Sequence, residues 1–109
     1  MSDLHEHHCK ACEAGIPPLD ETKIKAYLKQ CPEWNVSPNK KSITRRFTFK
    51  GFTKTIEFVN KVADIAKAEG HHPDMNVGYN YCEIHYTTHA IDGLSDNDFI
   101  CAAKINQLL

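Results

Sequence analysis

Residues 42 to 73 read SITRRFTFKGFTKTIEFVNKVADIAKAEGHHP, and two periodicities meet inside them. From Ser42 to Phe49 the pattern has period two. Ile43, Phe47 and Phe49 fall on one face, and Ser42, Thr44, Arg46 and Thr48 on the other, which is the alternation of a strand with one buried side. Gly51 breaks that pattern. Phe52, Ile56, Val59, Ala63 and Ala66 then recur at helical spacing, so a long amphipathic helix is predicted, with Gly70 just past its end. A strand, a tight break and a helix ending in His71-His72-Pro73 form the middle of the fold.

Upstream, Asp20 is a good N-cap, and Ile24, Tyr27, Leu28 and Cys31 predict a first helix that Pro32 stops. A short extended piece over residues 34–36 and a turn over 37–41 lead into the strand. Downstream, Val77, Tyr79 and Tyr81 alternate in one predicted strand. In the next, Cys82, Ile84, Tyr86 and Thr88 alternate against Glu83, His85, Thr87 and His89. Asp92-Gly93 makes a turn. Ser95 with Asp98 three residues later is a capping-box pattern, and Phe99, Ala102, Ala103, Ile105 and Leu108 give the last helix its apolar surface. The order is α-β-β-α-β-β-α, and short connections favour antiparallel pairing, so the chain is read as an α+β domain with helices on one face of its sheet. The open face would carry His85, Thr87 and His89, a surface suited to forming an oligomer.

At 109 residues there is room for one domain. No apolar run approaches the ~20 residues that cross a bilayer. The N-terminal stretch is polar and histidine-rich, without the apolar core of a secretory signal, so a cytoplasmic protein is expected. Net charge is -1, and the short basic cluster of Lys40, Lys41, Arg45 and Arg46 reads as a solvated strand edge. Nucleic acid is not expected as a partner, because phosphate binding needs clustered positive charge. Five cysteines, an odd and scattered set, argue against a disulfide framework; Cys31, Cys82 and Cys101 fall at apolar positions and read as small core residues.

Residues 1–19 are expected to be a flexible tail, and 20–109 the folded domain. The tail holds His5, His7, His8, Cys9 and Cys12. Cys-x-x-Cys can hold zinc, but a second half is missing, so a disordered segment without apolar anchors is expected and no structural metal. Removing residues 1–13 should then leave folding unchanged.

Three histidines carry the chemistry: His71 and His72 at the corner, and His89 after the last strand pattern. Imidazole gives or takes a proton near neutral pH. Pro73 disfavours helical geometry at His72, so the two neighbours must point in different directions. By itself a His-His pair reads more readily as a polar helix end facing water than as a site. His85 stands roughly 13 Å from His89 at strand rise and is set aside as a surface or interface residue.

The stretch Lys67-Ala68-Glu69-Gly70-His71-His72-Pro73, followed by Tyr79, His89 and Asp98, resembles the signature of the pterin-4a-carbinolamine dehydratases. The similarity extends through Trp34-Asn35, the segment from Phe47 to Phe52, and Gly93-Leu94-Ser95, and so covers nearly everything after the tail. The resemblance implies a four-stranded antiparallel sheet with three helices on one face. It also implies dehydration of 4a-hydroxytetrahydrobiopterin to quinonoid dihydropterin without metal or cofactor, recycling the tetrahydropterin used by phenylalanine hydroxylase, in a homodimer or homotetramer. By position it makes His71, His72 and His89 catalytic, with His71 and His89 as acid and base and His72 positioning. His71, His72, Pro73, Thr88, His89 and Asp98 are implied around the pterin. Asp98 carries two compatible readings, as a site acid and as the N3 residue of the capping box. Lys67 departs from the acid common at that position, and Glu69 is expected to point elsewhere on the helix. Two rivals stay open: a partner protein for transcription-factor dimers, and a metal-binding protein using the three histidines or the tail.

Overall fold

The computed structural model describes residues 3–11 and 15–109. Its helices are α1 (Glu21–Leu28), α2 (Phe52–Glu69) and α3 (Asp96–Asn106), and its strands are β1 (Asn35–Val36), β2 (Ile43–Thr48), β3 (Asp74–Val77) and β4 (Tyr81–Tyr86). Two 3-10 turns, Leu4–Glu6 and His89–Ile91, complete the set. The sheet runs β1-β2-β4-β3, every neighbouring pair antiparallel. The order is the expected α-β-β-α-β-β-α.

Local chemistry sets the element ends. Asp20 caps α1 by accepting the Lys23 N–H at 2.9 Å. Asp98 accepts the Ser95 N–H at 3.0 Å at the head of α3. Register then sorts the faces. Ile43 lies opposite Tyr86 and Phe47 opposite Cys82, so these residues and Ile84 turn together toward the helices and are buried. Thr44 opposite His85 and Arg46 opposite Glu83 occupy the other face, with Arg46 over the Tyr81 ring. The core fills the space between that apolar face and Ile24, Tyr27, Phe58, Val62 and the near side of α3. Helix α3 is buried almost all round, because Cys101, Ala102 and Ala103 are small enough for close approach. Cys31, Cys82 and Cys101 are 1%, 0% and 0% exposed, as their apolar positions predicted.

Four local readings change. The buried stripe of α2 is Thr55, Phe58, Val62 and Ala66, whereas Phe52 is exposed. Thr55 enters the core because its hydroxyl donates to the carbonyls of Gly51 and Tyr79, at 2.8 and 3.2 Å, so a polar residue occupies an apolar position. Strand β3 stops at Val77 instead of running to Tyr81. The Gly78 N–H donates to the Tyr81 carbonyl, which closes a tight turn and leaves Tyr79 exposed. His89 is off the last strand: Thr88 bridges back to Gly93, and the chain coils into a 3-10 turn at His89.

The fourth change concerns the N-terminal segment, which does have an apolar anchor. Leu4 is 3% exposed within the core, and its N–H donates to Gln30 Oε1 at 2.7 Å. Lys104 Nζ donates to the His5 carbonyl at 3.0 Å. Cys12, the second cysteine of the zinc-like motif, lies outside the described residues. Among the described residues the one group of three metal-ligating side chains close enough to share an ion is Asp3, His5 and Glu6, and it is not a buried cage.

Truncating Leu4 empties a buried site, and large-to-small core changes of this kind cost about 2–4 kcal/mol. Leu4→Ala should lower the urea midpoint accordingly; an unchanged midpoint would return the segment to the status of a dispensable tail.

Candidate active site

Helix α2 ends at Gly70, whose φ of +64° lies in the left-handed region that glycine tolerates best. The N–H groups of Gly70 and His71 both return to the Ala66 carbonyl. That closure turns His71 back toward the domain, and Pro73 carries His72 outward. The His71 side chain is 14% exposed, while His72 is on the surface.

His71 Nε2 lies 2.6 Å from Asp98 Oδ1, and the Asp98 side chain is fully buried. The other carboxylate oxygen accepts the Ser95 N–H at 3.0 Å and the Thr88 hydroxyl at 2.8 Å. The capping reading of Asp98 holds through one oxygen, and the other oxygen faces His71. The His71 ring stacks on Tyr86 with centroids 5.2 Å apart, and the Tyr86 hydroxyl donates to the His71 carbonyl. Burial works against charging His71, but the hydrogen bond and negative charge of Asp98 outweigh it, so its pKa lies above the ordinary 6.5.

His71, His72, Thr88 and His89 line one open cleft of about 590 Å³, a size suited to a small heterocycle. Thr88 is 4% exposed and directs its hydroxyl at Asp98. Pro73 and Asp98 do not line the cleft; Asp98 reaches it through His71. The three histidines do not converge closely enough to share an ion. His85 faces the open side of the sheet, where its Nδ1 lies 3.3 Å from Thr44 Oγ1.

Sequence reasoning missed the opposite wall, formed by Glu69, Asn97 and residues 9–11. Glu69 points into this wall, not away. It accepts the Cys9 N–H at 2.7 Å and lies 3.0 Å from His8 Nδ1 and 3.7 Å from Lys104 Nζ. Burial pushes its carboxyl up, but these partners prevail and hold it below the ordinary carboxylate range. Lys67 is exposed. The signal in the sequence was faint: one acid two residues before His71, and a polar segment far away along the chain.

The family described as pterin 4 alpha carbinolamine dehydratase matches residues 17–108. The chain belongs to this family. A protein of Nitrosomonas eutropha, provisionally named a pterin-4-alpha-carbinolamine dehydratase, is 52% identical over 100% of this chain and 96% of its own length. A Legionella pneumophila protein with the same provisional name is 50% identical over 99% of this chain and 96% of its own. Among solved structures, a transcriptional coactivator/pterin dehydratase from Brucella melitensis superposes with a TM-score of 0.79 at 28% identity, covering 84% of this chain and 97% of that one. A pterin dehydratase-like protein identified as a RuBisCO assembly factor in the alpha-carboxysome shares the fold, with a TM-score of 0.62 at 22% identity. The pterin carbinolamine dehydratase match ends one residue before the last and leaves residues 1–16 outside, although the relatives align over the N-terminal segment too.

His71 holds its proton more tightly in the folded chain than in the unfolded one. The pair with Asp98 thus adds stability that is fully present below about pH 6.5 and is lost as pH rises through the raised value. NMR titration should find His71 above 6.5. In Asp98→Asn it should fall, and the stability gained on acidifying across that window should disappear; an unshifted His71 would break the assignment.

Proposed function

We propose that the chain dehydrates pterin 4a-carbinolamines, acting as a hydro-lyase on 4a-hydroxytetrahydrobiopterin and releasing quinonoid dihydropterin. The observation that carries this is one cleft holding His71, backed by a buried Asp98, together with His72 and His89. The family membership supplies the substrate class.

The reaction removes a proton from a ring nitrogen and a hydroxyl from the adjacent ring carbon. His71 is the base: its free edge takes the nitrogen proton, and the Asp98 carboxylate stabilises the imidazolium that forms. The lone pair left on nitrogen makes the new double bond as the carbon–oxygen bond breaks. His89, which lines the same cleft, gives the leaving hydroxyl its proton, and water departs. Solvent returns both histidines to their starting states. His72 positions the ring. Thr88 and Asp98 act through His71, and Pro73 acts through His72; none of the three needs to touch substrate. No step calls for a metal or a redox cofactor, since the leaving group and the proton stand on neighbouring atoms.

In this role the chain would serve a tetrahydropterin-consuming hydroxylase, phenylalanine hydroxylase being the expected beneficiary, in the cytoplasm. The polar sheet face around Thr44, Arg46, Glu83 and His85 is a candidate surface for a homodimer or homotetramer.

A stopped assay of carbinolamine dehydration against the uncatalysed rate tests the proposal. General acid–base catalysis contributes ~10²–10⁴, and the reaction also proceeds unaided, so His71→Ala and His89→Ala should each lower kcat by about 10². The double variant should approach the uncatalysed rate, and His72→Ala should raise KM more than it lowers kcat. A double variant that kept most of the wild-type rate would sink the assignment. Chelator treatment should leave the rate intact; a loss restored by zinc would favour a metal enzyme.

A further inference from the structure

Cys9 and Cys101 stand far apart in the sequence, yet their Sγ atoms are 3.6 Å apart. Cys101 is 0% exposed on α3, whereas Cys9 is half-buried and lines the cleft. The approach is built by several bonds. The Cys9 N–H donates to Glu69 Oε1 at 2.7 Å. The next residue is clamped on both sides of its backbone by one amide: the Lys10 N–H donates to Asn97 Oδ1 at 3.0 Å, and Asn97 Nδ2 donates to the Lys10 carbonyl at 2.6 Å. With the backbone fixed at Cys9 and Lys10, the two sulfurs face each other across a wall of the cleft. A disulfide spans about 2.05 Å, so closure asks for an approach of about 1.5 Å, within reach of small side-chain rotations.

We propose that Cys9 and Cys101 are a redox-active dithiol that takes a low-molecular-weight disulfide as oxidant and, once oxidised, fastens residues 8–11 as a fixed wall of the cleft. The Cys9 sulfur attacks one sulfur of the small disulfide while its proton passes to the neighbouring Cys101 thiolate 3.6 Å away; one small thiolate is expelled and takes that proton from Cys101, and a mixed disulfide forms on Cys9. The Cys101 thiolate then attacks the Cys9 sulfur and expels the second. Two protein thiols are oxidised, one small disulfide is reduced to two thiols, and the two protein protons pass to those products. Among the described residues, Cys9 is the thiol of the pair placed to meet an oxidant from solvent, and the buried Cys101 is the one placed to resolve it. Hydrogen bonding from the Cys9 thiol holds Cys101 below the ordinary thiol range, while the same contact with Cys101 pushes Cys9 up.

The bond itself is independent of the dehydratase proposal, whereas its effect on substrate rests on it. The full chain carrying Cys12→Ser is incubated with oxidised glutathione, digested without reduction and analysed by mass spectrometry. A peptide pair linking Cys9 to Cys101 is expected, removed by dithiothreitol. Because the bond closes nearly the whole chain into one loop, the oxidised form should melt roughly 10 °C higher, and Cys9→Ser/Cys12→Ser should show no such rise. Glutathione stranded on Cys9 without a link to Cys101, or no oxidation at all, overturns the proposal. So does a chain with Cys12 intact that links Cys9 only to Cys12. Oxidation should change the pterin KM several-fold with kcat held within about twofold. A linked protein with unchanged KM removes the wall from the proposal, while reduced protein without any dehydratase activity removes the dehydratase reading and leaves the dithiol standing.

Discussion

A carboxylate with no exposed surface must be matched on every side, and Asp98 meets that demand with groups from three separate elements. His71 comes from the corner after α2, Thr88 from the end of the β4 segment, and the Ser95 N–H from the head of α3. Removing any one leaves a buried charge short of a partner, which costs far more than the lost bond would return. Among the described residues no buried side-chain nitrogen or oxygen lacks a partner, so the cluster is closed. The relative placement of α2, β4 and α3 is thereby tied to one side chain.

That constraint also holds His71 in place. A histidine at a helix end is ordinarily free to rotate in water. Here its ring is held between Tyr86 and Asp98, so its edge toward the cleft is fixed and its protonated form is favoured. In the proposed mechanism, holding the base still and stabilising the charge it acquires are two contributions of this single packing arrangement. The carboxylate divides its oxygens, one toward His71 and the other toward Thr88 and the Ser95 cap.

The fold by itself carries little of this. The sheet-and-helix frame also occurs in a protein identified as a RuBisCO assembly factor, at 22% identity, so function has to be argued from the site and not from the frame. In this chain the frame is supplemented by an N-terminal segment anchored through Leu4, Cys9 and Lys10, which turns an open corner into a cleft with two walls.

The sequence by itself determined the element order, because period two and period 3.6 are properties of local chain geometry and survive without tertiary context. It also determined the helix ends at Asp20, Gly70 and Ser95, where capping depends on neighbours within a turn. Other features were decided only by tertiary structure. Thr55 is a core residue because two carbonyls satisfy its hydroxyl, and hydropathy alone could not foresee that. His89 left its strand because Thr88 paired with Gly93. Leu4 became an anchor, Glu69 turned into the cleft, and Cys9 met Cys101, since each depends on contacts between residues remote in the chain. A local pattern records which way a side chain leans from its own helix or strand, but not what has been packed there to meet it.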